Sequence, residues 1–373
     1  MEALILSCST GGGHNAAGEA VAQAFERRGH HVQIMDPYQL ASEGLASNIG
    51  NAYIKLVQRA PWAFGLVYLL GELFRRLPFR SPVYWINGKM AAHMQEYLRL
   101  HPVDVIVMPH IFPAEILAQL KNNGVVLPVT IFVATDYTCI PFTEETDCDY
   151  YVIPSPQLKE EFSRRGISEE KLVPLGIPVR REFLEEKSRE AALKELGLDP
   201  QKRYLLLSGG SIGAGKMAKT IRCMRRYLRE NPDHVLVVVC GNNQWLYRRL
   251  TIKYGRNEQI LLLQSTTQMA DNMRGCDVFL SKPGGLSSTE AAVLGVALVH
   301  ISPIPGCEMR NAEFFVQRGM SAAVKHPAKE LLSVIEEMNN PQNARRRREK
   351  QRQYIPPCAS EEICRFAEEA VKK

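Results

Sequence analysis

The chain of 373 residues has nine cysteines but no CxxC pair and no cysteine–histidine spacing typical of a metal site, so neither a disulfide framework nor a zinc module organises it. The cysteines read as small buried hydrophobes of a reducing compartment, and the expected location is cytoplasmic. The first residues, MEALILSCSTGGGH, lack the basic start and long apolar segment of a secretory signal. No apolar run reaches the roughly 20 residues of a spanning helix; the most apolar, Trp62 to Phe74, is broken by Gly65, Gly71 and Glu72. Strong charge is missing too. A net charge of +6 is a mild lean toward anionic partners such as phosphate-bearing ligands or an acidic membrane surface. No basic–aromatic module of known spacing appears, so nucleic acid is not an expected partner.

Two nucleotide signatures are also incomplete. Gly11, Gly12 and Gly13 are followed by His14, Asn15 and Ala16, which is not the GxGxxG of a dinucleotide site, and Asp36 is the one acid near the end of the second strand. Gly210, four residues, Gly215 and Lys216 give the Walker A spacing, but Met217 stands where a Ser or Thr would ligate magnesium.

What is there is an alternation of strand and helix signals, twice over. Ala3 to Ser7 runs into the first glycine turn and then an amphipathic stretch, Ala16 to Arg28, with Ala20, Ala24 and Phe25 at helical spacing. Further strands are predicted at 31–35, 103–108, 129–134 and 150–153, with connections long enough for parallel crossovers. A segment punctuated by Pro and Gly, PLGIPVRREFLEE, closes this half, and strands at 204–208, 235–240, 260–263, 278–281 and 297–301 repeat the theme. The expectation is two domains, 1–180 and 181–350, with 351–373 a C-terminal helix capped at Ser360 that returns to the first. The run Arg345 to Arg348 reads as a solvated helix face.

Three glycine-rich turns carry the chemistry. In STGGGHNAAGEA, His14 stands at the mouth of a helix after a strand end, where it could take a proton from a hydroxyl or serve as a cap. In SGGSIGAGK, Gly209, Gly210 and Ser211 offer backbone amides to an anion at a helix start. In SKPGGLSSTEAAVLG, Gly285, Ser287 and Ser288 can face a diphosphate while Glu290, placed in the first helical turn, grips the hydroxyls of a ribose. Ser287 and Glu290 equally spell a capping box.

The pairing of STGGGHNAAGEA with SKPGGLSSTEAAVLGVALVHISPIPGCEMRNA resembles the family of monogalactosyldiacylglycerol synthases and processive diacylglycerol glucosyltransferases, relatives of the peptidoglycan transferase that makes lipid II. The resemblance spans nearly the whole chain. It implies an α/β GT-B fold, two doubly wound Rossmann-like domains facing a central cleft, and an inverting transfer of a hexose from a UDP-sugar to a lipid hydroxyl without an obligatory metal or cofactor. By position it implies His14 as general base, with Asp136 orienting it or acting as base itself. It also implies Glu290 on the ribose, and Glu308 and Asn311 on the donor sugar. Gly13, Gly209, Gly210, Ser211, Gly285, Ser287 and Ser288 fall near the phosphates, and Thr266 near the base. Cys307 stands where relatives usually carry Gln, and YTCIPFTEETDCD after Asp136 lacks the His and Trp of many relatives, so galactose, glucose and N-acetylglucosamine all remain open as the donor sugar.

Acceptor signals lie between Tyr53 and Lys89, where Trp62, Phe64 and a leucine-rich run precede Arg75, Arg76 and Arg80. Such a segment can rest on an anionic bilayer at the inner face of the cell membrane or pack as a buried hairpin. His110 is a further acceptor-side position, with a capping role as its alternative. Three other functions stay open at this point. One is a transferase acting on a lipid-linked cell-wall precursor or a soluble acceptor. Another is a P-loop ATPase or kinase built on Gly210 to Lys216, and the last is a sugar-nucleotide sensor without turnover.

Overall fold

The computed structural model describes residues 1–8, 12–41, 61–75, 77 and 79–372, with the side chains of 61–64 and 67 left out. Two compact units emerge. The first comprises Met1–Arg181, Pro305–Cys307 and Cys358–Lys373, and the second Glu182–Ile304 and Glu308–Pro357.

The first unit is a six-stranded parallel sheet of β1 (Glu2–Leu6), β2 (His31–Met35), β3 (Val105–Met108), β4 (Val129–Val133), β5 (Tyr150–Val152) and β6 (Leu172–Val173), in the order β2-β1-β3-β4-β5-β6. Its central strands are apolar at successive positions because helices cover both faces, the pattern of an interior parallel sheet. The helix Gly12–Arg27 lies close on β1 at Gly18, where a Cβ would stand 3.2 Å from the Ile5 side chain. The C-terminal helix Ala359–Ala370 adds Ile363, Cys364 and Ala367 to the same core as Ile5, Phe25, Val107 and Ile131.

The second unit repeats the plan with β7 (Arg203–Ser208), β8 (His234–Val239), β9 (Ile260–Leu263), β10 (Val278–Ser281), β11 (Leu298–Ile301) and β12 (Ala322–Val324), ordered β12-β11-β10-β7-β8-β9 and parallel throughout. Each sheet has one point where the direction of winding reverses, between β1 and β3 in the first and between β7 and β10 in the second. Ligands of open parallel sheets bind outside the carboxyl ends of the strands at such points.

The structure corrects several local expectations. The strands β6 and β12, only two and three residues long, carry too little pattern to be read from sequence. The first helix begins at Gly12, so His14 is its third residue instead of preceding it. The helix Gly285–Leu294 has Gly284 as its N-cap with no side-chain cap, so Ser287 and Glu290 are not a capping box and Glu290 lies in the second turn. Ser360 is likewise inside its helix, its hydroxyl donating 3.0 Å to the Val179 carbonyl. The arginine run is only partly a solvated face. Arg345 pairs with Glu349 in solvent, whereas Arg347 donates to the Ser321 carbonyl and Arg348 to that of Gly295, stapling the helix Pro341–Tyr354 to its unit.

All nine cysteines are free; six are buried, Cys223 and Cys307 are half-buried, and Cys358 is exposed.

Candidate active site

In the first unit, the loops after β1, β3 and β4 bring His14, Pro109, His110, Thr135 and Asp136 onto one cavity. Ser7, just past the end of β1, donates 2.7 Å to the Asn15 amide oxygen and ties down the start of the helix that carries His14. His14 Nδ1 lies 2.8 Å from the Pro109 carbonyl and 3.0 Å from Thr135 Oγ1. A carbonyl can only accept, so Nδ1 carries the proton and, in the neutral ring, Nε2 keeps its lone pair. Burial lowers the His14 pKa below its ordinary 6.5, opposed by the negative charge of Asp136 and by the Pro109 bond, so the ring is neutral at pH 7. A neutral imidazole with a fixed tautomer is a proton acceptor ready for use.

His110 packs edge-on to His14, ring centroids 4.5 Å apart. Its Nδ1 accepts from the Phe112 amide at 3.1 Å and caps the helix Ile111–Asn122. Burial first, and the neighbouring His14 second, push its pKa well below 6.5. His110 therefore has the geometry of a cap that also forms cavity wall.

The cavity encloses about 280 Å³. Its walls are mainly apolar, with Ile111, Phe112, Phe132, Ile140 and Phe142 among them, and the acids Asp136 and Glu115 interrupt them. An apolar hollow with a few convergent polar groups suits the less polar end of a substrate.

In the second unit, the loops after β7 and β10 meet at the winding reversal. Gly210 takes φ +70°, and a Cβ there would come 2.7 Å from Lys282 Cε, so glycine is what lets the two loops touch. The amides of Gly213 and Ala214 donate at 3.0 Å to the carbonyls of Gly210 and Gly209, closing the loop on itself. In a Walker loop such amides hold phosphate, whereas here they bond within the loop. Past β10, the uncapped start of the helix Gly285–Leu294 directs the amides of its first turn and the positive end of its dipole outward, where an anion is favoured. Ser287 is half-buried at that turn.

Ser288 does something else. Its hydroxyl lies 3.0 Å from His300 Nε2, and Ser321 lies 3.2 Å from the other ring nitrogen, so Ser288 belongs to a buried network instead of facing an anion. Burial pushes His300 down to about 3, which keeps it neutral. Glu290 is buried on the same helix. On the helix Cys307–Gln317, Glu308 and Asn311 lie one turn apart and both reach back to the β10 loop. Glu308 binds the Lys282 ammonium and accepts from the Ile304 amide at 2.9 Å, while Asn311 donates 3.0 Å to the Pro283 carbonyl. Thr266, beyond β9, accepts from the Gln268 amide at 3.0 Å and shapes a local turn.

Lys282, Thr135 and Glu115 were not singled out from sequence. The lysine in SKPGG and the lone acid in the apolar helix FPAEILAQL were the available signals; nothing in the sequence marks Thr135.

On the proposed lipid side, Leu66, Leu69, Leu70 and Leu73 of the helix Pro61–Phe74, Trp85 and Ile86 of the helix Pro82–Gly88, and Leu77 and Phe79 between them are exposed. Two of the arginines meant to flank this patch, Arg75 and Arg80, are engaged. Arg75 lies 3.6 Å from Glu72 and 3.7 Å from Glu144, and Arg80 donates to the Glu145 carbonyl at 3.1 Å. The side chains of Trp62 and Phe64, and Arg76 entirely, lie outside the described residues. No helix among the described residues is long and apolar enough to cross a membrane. Among them, His30, Cys364 and Glu368 have metal-like spacing, but Arg28 grips Glu368 in a bidentate pair at 2.7 Å and His30 Nε2 binds it at 2.7 Å.

Family models match both halves of the chain. Residues 14–179 match the monogalactosyldiacylglycerol (MGDG) synthase model, and residues 204–362 match the glycosyltransferase family 28 C-terminal domain. The chain is a glycosyltransferase built from these two family domains. Processive diacylglycerol beta-glucosyltransferases of Bacillus licheniformis and Bacillus subtilis are 28% and 27% identical to it over 335 residues, spanning 89% of this chain and 85% of each of theirs. Among solved structures, MurG of Acinetobacter baumannii is similar with a TM-score of 0.63 at 16% identity over 99% of both chains. The UDP co-structure of Staphylococcus aureus MnaA reaches 0.65 at 13% identity, covering 100% of this chain and 97% of that one. At such identities the likeness is one of fold, the two-sheet GT-B class.

Proposed function

We propose that this glycosyltransferase moves a hexose from a UDP-sugar to the free hydroxyl of a diacylglycerol-type lipid, with inversion at the anomeric carbon. The observation that carries the reading is the His14 tautomer, pinned through Nδ1 to Pro109 so that Nε2 keeps its lone pair, on a residue that lines an apolar cavity. Nε2 takes the proton of the acceptor hydroxyl as its oxygen attacks the anomeric carbon on the face opposite the diphosphate; the C–O bond to UDP breaks and UDP carries away the electron pair. Asp136 stabilises the imidazolium that forms, the role its charge on His14 supports. The acceptor is assigned to residues 1–180, the donor to 181–350, and the stretch 351–373 to the C-terminal helix that joins the first sheet's core.

For the donor, the first-turn amides of the helix Gly285–Leu294 and the loop of Gly209, Gly210 and Ser211 stabilise the departing diphosphate. Glu290 holds the ribose, Glu308 and Asn311 hold the sugar, Gly13 lies toward the phosphates, and Thr266 offers its backbone to the base. Lys282, bound to Glu308, adds a positive charge beside these groups. The names of the Bacillus relatives support glucose as the sugar and diacylglycerol as the acceptor.

The exposed ridge from Leu66 to Ile86 rests in the surface of the membrane's cytoplasmic leaflet, where the lipid acceptor lies. With Arg75 and Arg80 engaged inside the protein, that contact is mainly apolar over the described residues.

The test is incubation of the purified protein with UDP-glucose or UDP-galactose and diacylglycerol in mixed micelles, with the product identified by mass spectrometry and its anomeric configuration by NMR. A β-linked glycosyldiacylglycerol is expected. Release of UDP and free sugar with no lipid product would sink the acceptor assignment.

A further inference from the structure

The helix Ile111–Asn122 carries one acid, Glu115, and that side chain is wholly buried while forming part of the wall of the His14 cavity. Glu115 Oε2 accepts from the Asn87 amide, whose own oxygen accepts from the Tyr38 hydroxyl, whereas Glu115 Oε1 has no hydrogen-bond partner among the described residues. Buried polar atoms are seldom left this way. An oxygen without a partner on a residue that lines the cavity points to a partner brought by the substrate.

Burial, helped by the negative charge of Glu145 and opposed by the Asn87 bond, pushes the Glu115 carboxyl up to about 8, so it carries a proton at neutral pH. With Asn87 donating to Oε2, the acid's own proton belongs on Oε1 and makes that oxygen a donor. Other titratable groups face the same surroundings. Glu145 is held by the Ser81 amide and hydroxyl at 2.9 and 2.7 Å, and Tyr38 by Asn87. His14, His110 and Asp136 stand on the other walls. Burial keeps both histidines below their ordinary value and the Tyr38 phenol above its own.

We propose that Glu115 donates a hydrogen bond to an ester carbonyl on the glycerol backbone of the acceptor lipid and thereby aims the reacting hydroxyl at His14. Glu115 is then a positioning residue, and the proposal rests on the lipid-acceptor reading above. A group that acts this way sets the acceptor KM, leaves the donor KM alone, and stops donating when it ionises.

The experiment is steady-state transfer from UDP-hexose to diacylglycerol, and to its ether-linked dialkylglycerol analogue, by wild type, Glu115→Gln and Glu115→Leu between pH 6 and 9.5. Glu115→Leu is expected to raise the acceptor KM by about five- to tenfold, the loss of one hydrogen bond, with the donor KM unchanged. Glu115→Gln, whose amide still donates, stays close to wild type at pH 7. Wild type shows a rise in acceptor KM above about pH 8 that Glu115→Gln lacks. The penalty is expected on the ester lipid, which carries the carbonyl, and not on the ether lipid; an equal penalty on both lipids overturns the proposal. An alkaline rise that persists in Glu115→Gln, or an acceptor KM indifferent to both substitutions, overturns the proposal while leaving the transferase reading intact. Absence of any lipid product from the wild type overturns both.

Discussion

Replacing Glu308 by Gln removes one charge from the Lys282–Glu308 pair, whose side chains keep only 15% and 8% of their exposure respectively. The amide oxygen of Gln can still accept from Ile304, so the change isolates the ionic contact. Breaking a fully buried pair costs about 3–5 kcal/mol because the surviving charge is stranded. Lys282 keeps a thin edge of solvent and recovers part of its hydration, which brings the cost to about 2–3 kcal/mol. For a domain of 150–250 residues each kcal/mol is worth about 2–4 °C, so the second unit's melting point falls by roughly 4–12 °C. Differential scanning calorimetry on Glu308→Gln, Lys282→Met and the double variant reads this directly. The double variant, with no stranded charge, recovers most of the loss. A Glu308→Gln protein melting within 1 °C of wild type, or a double variant whose loss is the plain sum of the singles, would refute the claim that the pair is coupled and largely desolvated.

Other consequences follow from single residues. Gly213→Ala places a Cβ 1.9 Å from the Cys240 carbonyl at φ +64°, so the β7 loop must shift; a loss of at least about 2 kcal/mol is expected in urea unfolding, together with weaker UDP binding by calorimetry. His300 has a folded pKa of about 3 against 6.5 free, so stability tied to its neutral form is complete above pH 6.5 and lost as pH falls from there through about 3. His300→Gln, unable to take that proton, should flatten the fall of the urea midpoint across this range, and an unchanged profile would count against the burial of the ring. Leu69→Glu with Leu73→Glu should abolish vesicle flotation, while about 0.5 M salt should leave wild-type flotation nearly intact, because screening acts on charges and this ridge is apolar. Salt release comparable to that of the double variant would favour an electrostatic contact.

Much of the fold was legible because an interior parallel strand is a short apolar run between turn signals. β2, β9 and β10 occupy the predicted residues, and the other long strands differ at their ends by one or two. β6 and β12 escaped because two or three residues at a sheet edge have no periodicity to detect. The glycine turns were legible because positive φ demands glycine, as Gly210 and Gly213 show. Which polar atoms those turns use was not legible. Ser288 reads as an anion ligand until β11 puts His300 beside it, and Arg75 reads as a membrane cation until Glu144, far along the chain, is folded next to it. Glu115 was invisible for the same reason: its meaning comes from Asn87, Glu145 and the cavity, none of them its neighbours in sequence.

The central claim is that His14 removes the acceptor's proton, and the most direct measurement is kcat for transfer to diacylglycerol by His14→Ala beside wild type, with UDP affinity measured by calorimetry on both. General-base catalysis contributes about 10²- to 10⁴-fold. A loss of that size with UDP affinity unchanged, and a wild-type acid limb below pH 6.5 as burial of the ring requires, is what the account predicts. A variant retaining more than about a tenth of wild-type kcat would contradict it and move the search for the base to another group on the same cavity, Asp136 first.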